Sequence, residues 1–291
     1  MCNFALIGAA GFVAPRHIKA IYDTGNELIA ALDPHDSVGR LDKHFPNCAF
    51  FTEVERFDRH LEKIKRQDEG VDYVSVCSPN YLHDAHCRLA MRVGADVICE
   101  KPVVINPWNI NQLVEIEKET ARKVNVVLQL RLYPELIKLK EKFKNTNEIH
   151  TVKIDYVTPR GRWYHESWKG NEEKSGGLLV NIGVHLFDLV IWLFGAVKNV
   201  DMLYNKFNKV AGSLLLEKAS VEWSLSIDKS DLPRGSDISH RLITIDGEPL
   251  KFDSVFTSLH TEVYKNILEG KGFGLEDALP AIECVNKIRK F

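Results

Sequence analysis

The sequence predicts an α/β chain in two parts, a doubly wound parallel sheet followed by an α+β domain with a largely antiparallel sheet. Three observations predict it. Over roughly the first 130 of 291 residues, short β-rich apolar runs alternate with helical stretches, as in a parallel sheet covered by helices on both faces. Beyond Pro134, most strand-like runs follow one another without helices between them, which favours antiparallel neighbours. Between the first strand and the first helix stands a glycine-rich turn, Gly8-Ala9-Ala10-Gly11-Phe12-Val13-Ala14.

Taken in order, the first strand spans 3–7 and the turn opens a helix at 15–24. Strands at 27–32 and 49–51 precede a helix at 57–67. A strand at 71–77, a helix at 83–93, a strand at 96–99, a helix at 107–123 and a strand at 124–130 complete the first domain, set at residues 1–130. The second, 131–291, begins with a helix near 135–143 and a strand at 149–157. An irregular aromatic and basic stretch, TPRGRWYHESWKGNEEKSGG, then leads into the apolar run 177–197. Runs at 200–207, 212–216, 219–227, 241–245 and 250–252 alternate apolar and polar residues as half-buried strands do. The turn-rich 226–240 reads as a surface loop. Helices at 258–268 and 276–289 close the chain, the last free to pack back on the first domain.

Composition narrows the function. Hydrophobic residues make up 45% and charged residues 27%, the balance of a soluble globular protein. Net charge of −2 and a pI of about 6.6 give no overall basic field, so neither nucleic acid nor an anionic membrane is an expected partner. An anionic substrate would need a local basic pocket. The six cysteines form no C-x-x-C pair and read as reduced core thiols of a cytoplasmic protein. The N-terminus lacks the positive n-region of a signal peptide and reads as mature protein.

The glycine-rich turn fits G-x-x-G-x-x-A, a variant of the dinucleotide turn, in which backbone N–H groups and a helix N-terminus approach a pyrophosphate. Gly8, Ala10, Gly11, Phe12 and Val13 are its cofactor candidates. Asp33 ends the second strand, where an acid accepts hydrogen bonds from the adenosine ribose and repels a 2′-phosphate. With Pro34 and His35 next, no arginine follows at once, so NAD is favoured over NADP. Capping of the turn before Pro34 is the alternative role for Asp33.

In open α/β sheets, ligands bind beyond the carboxyl ends of the strands. Those ends carry Ser78, Asn80 and His83; Glu100, Lys101 and Pro102; and Gln129 and Arg131. Lys101 is either a catalytic group or half of an ion pair with Glu100. His83 and His86 stand about one helical turn apart, but with no carboxylate or cysteine partner evident no metal is expected.

The run GLLVNIGVHLFDLVIWLFGAV is long enough to span a bilayer, yet an Asp near its centre costs roughly 2.5–3.5 kcal/mol there. It reads instead as a buried helix. Asn181, His185 and Asp188, at i, i+4 and i+7, share one helical face at ~100° per residue. A polar stripe on a buried helix needs partners, and a titratable group held there is either a satisfied core residue or part of a site.

The turn GAAGFVA, the segment SPNYLHDAHCRLAMRVGADVICEKP and SGGLLVNIGVHLFDL together resemble the glucose–fructose oxidoreductase/inositol dehydrogenase (Gfo/Idh/MocA) family over the whole chain. RGRWYHESWKG followed by NIGVH is similar to a subgroup of that family, the bacterial UDP-N-acetylglucosaminuronate 3-dehydrogenases of surface-polysaccharide synthesis. The wider family often has Asp where this chain has Asn181. The resemblance implies a Rossmann domain, an open-faced C-terminal sheet, and homodimers or homotetramers assembled through it. It also implies NAD-dependent oxidation of a sugar C3 hydroxyl to a 3-keto sugar in O-antigen precursor synthesis. It further brings in 2-oxoglutarate as the oxidant that recycles NADH, which no residue shows independently.

For that reaction His185 is the expected base, because an unperturbed histidine (~6.5) lies closer to neutrality than lysine (~10.4). Lys101 would orient the hydroxyl and stabilise developing alkoxide charge. The residues leave the reverse assignment open, since burial lowers a lysine pKa. Asn181 is expected to hydrogen-bond substrate, with Asp188 supporting the helix from behind. Arg160, with Arg162 and Lys169 nearby, would bind the substrate's anionic groups. Trp163, Tyr164 and Trp168 either stack on the substrate or pack among themselves. The competing functions are dehydrogenation of another sugar, an inositol or a dihydrodiol, and NAD binding by a non-catalytic regulator, which would need neither Lys101 nor His185.

Overall fold

The computed structural model describes residues 1–236, 238–250 and 259–291. In chain order its elements are β1 (Asn3–Ile7), α1 (Ala14–Asp23), β2 (Glu27–Leu32), β3 (Ala49–Phe51), α2 (Val54–Lys65), β4 (Tyr73–Val76), α3 (His83–Arg92), β5 (Asp96–Cys99), α4 (Trp108–Thr120) and β6 (Val124–Val126). There follow α5 (Pro134–Lys144), β7 (His150–Val157), the short α6 (Arg162–Glu166) and α7 (Glu172–Ser175), then α8 (Val184–Phe194), β8 (Val197–Lys206), β9 (Lys209–Leu216), β10 (Ala219–Ser226), β11 (His240–Ile245), β12 (Glu248–Pro249), α9 (Leu259–Leu268) and α10 (Leu275–Ile288). The chain forms two compact units. The first takes Met1–Val104, Trp108–Gln129 and the C-terminal stretch through α9 to Ala278. The second takes Ile105–Pro107, the chain from Leu130 through β12, and Leu279–Phe291.

The first unit is a six-stranded parallel sheet in the order β3-β2-β1-β4-β5-β6. The strand order reverses beside β1, so the ligand crevice of such a sheet lies at the carboxyl ends of β1 and β4. Phe4, Ala5 and Leu6 of β1 are fully buried, as expected of a central strand covered on both faces.

The second unit is a six-stranded mixed sheet, β12-β11-β7-β10-β9-β8, antiparallel except for the parallel β7–β10 pair. The parallel pair follows from the crossover through α8, the kind of long connection a parallel neighbour needs. Of the strand expected at 250–252, Leu250 is described and its N–H donates to Ile243 O, while 251 and 252 lie outside the described residues.

The apolar run is largely core. The stretch Glu172–Phe194 is long and apolar enough to cross a membrane by length and composition, and 78% of its apolar window is buried in the fold. It is not one regular α-helix. A π-turn occupies Leu179–Gly183 ahead of α8, a local widening that recurs at functional sites. Gly183 makes room for it, since a Cβ there would come within 2.9 Å of the Phe187 ring and 3.0 Å of Leu225 on β10. The expected 158–177 loop likewise contains α6, a 3₁₀ turn at Trp168–Gly170 and α7.

Candidate active site

In the first unit, the turn after β1 is fixed by backbone bonds, Gly8 N–H to Leu32 O at 2.8 Å and Gly11 N–H to Gly8 O at 3.0 Å. Gly8 has φ of +92°, and a Cβ there would stand 2.7 Å from the Cys77 carbonyl and the Ser78 nitrogen. Only glycine fits. The turn delivers α1 with Pro15 in its first turn, no acidic residue there and no side-chain cap. The Ala14 and Arg16 N–H groups close the turn onto Gly11 O at 3.3 Å and Val13 O at 2.9 Å, so the helix start meets an approaching anion with its dipole and no competing carboxylate. Phe12 at the tip is 85% exposed. Val13 precedes α1 as its cap residue.

Asp33 is buried at the end of β2. Oδ2 accepts from Ala10 N–H at 2.9 Å and Oδ1 from His35 N–H at 2.9 Å. It thus caps the local turn and ties it to the glycine-rich loop, and each oxygen keeps a lone pair for a further donor. The sequence reading missed Arg40, whose guanidinium donates to Gly11 O at 3.2 Å.

At the end of β4, Ser78 Oγ pairs with His86 Nδ1 at 2.8 Å, and Asn80 is buried. His83, expected among the cofactor ligands, is buried with its ring spent on the protein: Nε2 meets Ser78 O and Nδ1 meets Pro102 O, both at 2.7 Å. It staples the β4 end to the β5 end, and both ring nitrogens are engaged, so no metal pair forms with His86. Burial lowers the pKa of both rings, that of His86 to about 4. Glu100, also expected to face the cofactor, turns its carboxylate into the core toward His17 and His260. Lys101 stays half-buried, with Nζ 3.9 Å from Glu100 Oε2. Gln129 lies in the 3₁₀ turn Gln129–Leu132 after β6.

In the second unit, the polar stripe divides. Asp188 is buried in a two-pronged ion pair with Arg131, Nη2 to Oδ1 at 2.7 Å and Nε to Oδ2 at 3.2 Å. Asn181 and His185 remain half-buried. Asn181 donates to the Tyr164 hydroxyl at 2.9 Å, and Arg160 lies over the Tyr164 ring at 5.9 Å. The His185 ring meets Tyr156 edge-on at 6.1 Å.

Tyr156 and Arg241 escaped the sequence reading. They stand opposite each other in the β7–β11 ladder, and the Arg241 guanidinium lies 5.4 Å from the Tyr156 ring centre. Burial raises the Tyr156 pKa, while the charges of Arg241 and Arg160 work against that rise. Two guanidinium groups therefore bear on the tyrosines beside His185 and Asn181, an arrangement able to receive an anionic ligand. Arg162 points to solvent, 95% exposed beside Glu166, and Trp163 is also exposed. Lys169 stacks on Trp168 at 4.4 Å and lines a cavity of about 60 Å³ with Lys206 and Arg289.

Comparison with known proteins agrees with both halves. Residues 2–128 match the model of the Gfo/Idh/MocA oxidoreductase family, NAD-binding Rossmann fold, and residues 140–222 match that of its C-terminal alpha/beta domain. The chain belongs to the Gfo/Idh/MocA oxidoreductase family. The WlbA (WbpB) dehydrogenase from Thermus thermophilus, solved with NAD and alpha-ketoglutarate, is 47% identical with a TM-score of 0.96, over 100% of this chain and 96% of that one. The same enzyme solved with NAD and UDP-GlcNAcA gives 46% identity and a TM-score of 0.95, over 100% and 95%. D-glucoside 3-dehydrogenase of Escherichia coli K12 is 30% identical over 217 residues, 71% of this chain and 58% of that protein. The chain spans about half the length of the curated relatives it matches. As a member of the Gfo/Idh/MocA family, the protein takes NAD as its cofactor. The close approach allowed at Gly8, the uncapped start of α1 and the acid at the end of β2 all fit that dinucleotide.

Proposed function

We propose that the protein is an NAD-dependent dehydrogenase that oxidises the C3 hydroxyl of UDP-N-acetylglucosaminuronic acid to a 3-keto sugar. The observation that carries this reading is the 46–47% identity, over all of this chain, to a dehydrogenase solved with NAD and with UDP-GlcNAcA. The first unit holds the cofactor, and the second, which excludes α9 from the expected 131–291, binds the substrate and pairs the subunits into a homodimer or homotetramer.

NAD, when bound, accepts the hydride. His185 takes the hydroxyl proton as general base. Lys101 donates a hydrogen bond to the oxygen as negative charge builds on it. Asn181 and Arg160 hold the sugar and its anionic groups, and Arg241, 5.4 Å from the Tyr156 ring centre, adds a second guanidinium. Gly8, Ala10, Gly11, Phe12, Val13, Asp33, Ser78, Asn80 and Gln129 line the dinucleotide, with His83 and Glu100 shaping the strand ends from behind. The enzyme works in the cytoplasm, on O-antigen and related surface-polysaccharide precursors. The alpha-ketoglutarate bound by its relative supports recycling of NADH by a 2-oxo acid.

The test is single-turnover reduction of NAD, followed at the NADH absorbance band after adding UDP-N-acetylglucosaminuronate. A substrate-dependent rise is expected in the wild type. Its loss is expected in His185→Ala and, with binding retained, in Lys101→Ala. No rise with this sugar, but one with a free sugar or an inositol, would replace the substrate. Undiminished chemistry in His185→Ala would remove His185 from the base role.

A further inference from the structure

The core of the first unit holds, next to Lys101, a chain of polar side chains that the proposed chemistry leaves unused. Glu100 Oε1 accepts from His17 Nε2 at 3.2 Å and from His260 Nε2 at 2.9 Å. His17 Nδ1 meets the Tyr264 hydroxyl at 2.8 Å, and that oxygen lies 2.6 Å from Ser75 Oγ. The other carboxylate oxygen faces Lys101. Oε2 accepts from the Lys101 backbone N–H at 3.2 Å and lies 3.9 Å from Nζ. His17, Ser75 and Tyr264 are fully buried, and Glu100 and His260 are no more than 5% exposed, whereas the Lys101 side chain is 22% exposed.

Proton directions follow along the chain. An ionised carboxylate only accepts, so both histidines donate through Nε2. Burial holds the His17 pKa below its ordinary value, leaving Nδ1 to accept the Tyr264 hydroxyl proton. Tyr264 in turn accepts from Ser75. Burying a carboxylate is costly unless it is paired and hydrogen-bonded, and here residues from α1, the end of β5 and α9 converge to meet that need.

We propose that Glu100, anchored by His17 and His260, is the positioning residue for Lys101. Its carboxylate attracts the ammonium 3.9 Å away, so Lys101 works as a hydrogen-bond donor and leaves proton abstraction to His185. The catalytic part of this inference rests on the dehydrogenase reading above. Burial alone would push the Glu100 carboxyl up, but the two histidine hydrogen bonds and the Lys101 charge outweigh it and hold the group well below the usual range. Nearby, burial pushes the Cys77 and Cys99 thiols and the Tyr264 hydroxyl up and His83 down. The two thiols and the hydroxyl stay neutral near neutral pH and do not compete for the lysine charge. His17, Glu100 and His260 lie close enough to ligate a metal ion, but the Glu100 contacts are already donor–acceptor pairs at hydrogen-bond distance.

The experiment is labelling of Lys101 with acetic anhydride across a pH series, read by peptide mass spectrometry on the folded protein. It needs no substrate, so it fails independently of the proposed reaction. In Glu100→Gln the labelling midpoint is expected to fall by about one pH unit, the lower end of what an opposite charge confers. The alkaline limb of single-turnover NAD reduction is expected to move the same way. Glu100→Asp, which draws the charge back by one methylene, is expected to give a smaller fall and serves where Glu100→Gln does not fold. A midpoint that stays or rises in whichever variant folds overturns the proposal, as does a stoichiometric metal in the purified wild type.

Discussion

Removing Asp188 should cost the second unit far more than the loss of one polar residue from a helix. The Arg131 guanidinium and the Asp188 carboxylate are 7% and 5% exposed, and two N–H groups reach the two oxygens at 2.7 and 3.2 Å. Charge centres about 4 Å apart attract by about 4 kcal/mol at an effective dielectric near 20. Both ions lose hydration on burial, so the pair is worth little relative to an apolar one, yet breaking it strands a charge at about 3–5 kcal/mol. Asp188→Ala is therefore expected to lower stability by about 3–5 kcal/mol. Arg131→Met/Asp188→Leu is expected to lose less than Asp188→Ala alone. The assay is urea unfolding, with the transition of the second unit followed by near-UV circular dichroism. A loss below about 1 kcal/mol in Asp188→Ala, or single costs that simply add in the double variant, would refute the reasoning.

Direct titration should show NAD bound at least about tenfold tighter than NADP, a gap of about 1.4 kcal/mol, because a buried carboxylate at Asp33 repels a 2′-phosphate. Asp33→Ser should narrow the gap, since Arg40 already reaches the Gly11 carbonyl; tighter NADP binding by the wild type would sink the assignment. Stability should also fall as pH drops from about 6.5 to about 4. A histidine whose folded pKa is depressed contributes stability fully above its unfolded value and loses it on acidification. For His86 the fall to about 4 is worth on the order of 3 kcal/mol at 1.36 per unit. His86→Gln should flatten the urea midpoint over that window, and an unchanged slope would count against the burial argument.

The features legible in the sequence are those written in local periodicity and local turn chemistry. Strand–helix alternation predicted the parallel sheet, and G-x-x-G-x-x-A at the end of the first strand predicted the tight turn in which Gly8 tolerates no Cβ. The i, i+4, i+7 spacing of Asn181, His185 and Asp188 was visible, and so was a supporting place for Asp188, but its partner was not. A π-turn at Leu179–Gly183 interrupts the regular helix on which that spacing was counted, and it depends on Gly183 packing against Leu225. Arg131 was noted at a strand end, but its partner lies 57 residues away, beyond any local pattern. Arg241 meets Tyr156 only through the β7–β11 register.

Glu100 shows why such misses fall where charge is buried. From the sequence, a carboxylate between a strand end and Lys101-Pro102 looks like a residue facing the cofactor, because strand ends face the crevice. Its partners, His17 and His260, lie 83 and 160 residues away, and nothing local distinguishes a carboxylate that meets histidines in the core from one that meets solvent. Hydrophobic periodicity records which face of an element is buried, but not which buried polar groups satisfy one another. That second question is settled only when the chain returns, as α9 does to the first unit. A residue such as His260 therefore carries no local signal of its role. Its contribution to Lys101 is measurable only through the charge it helps to hold.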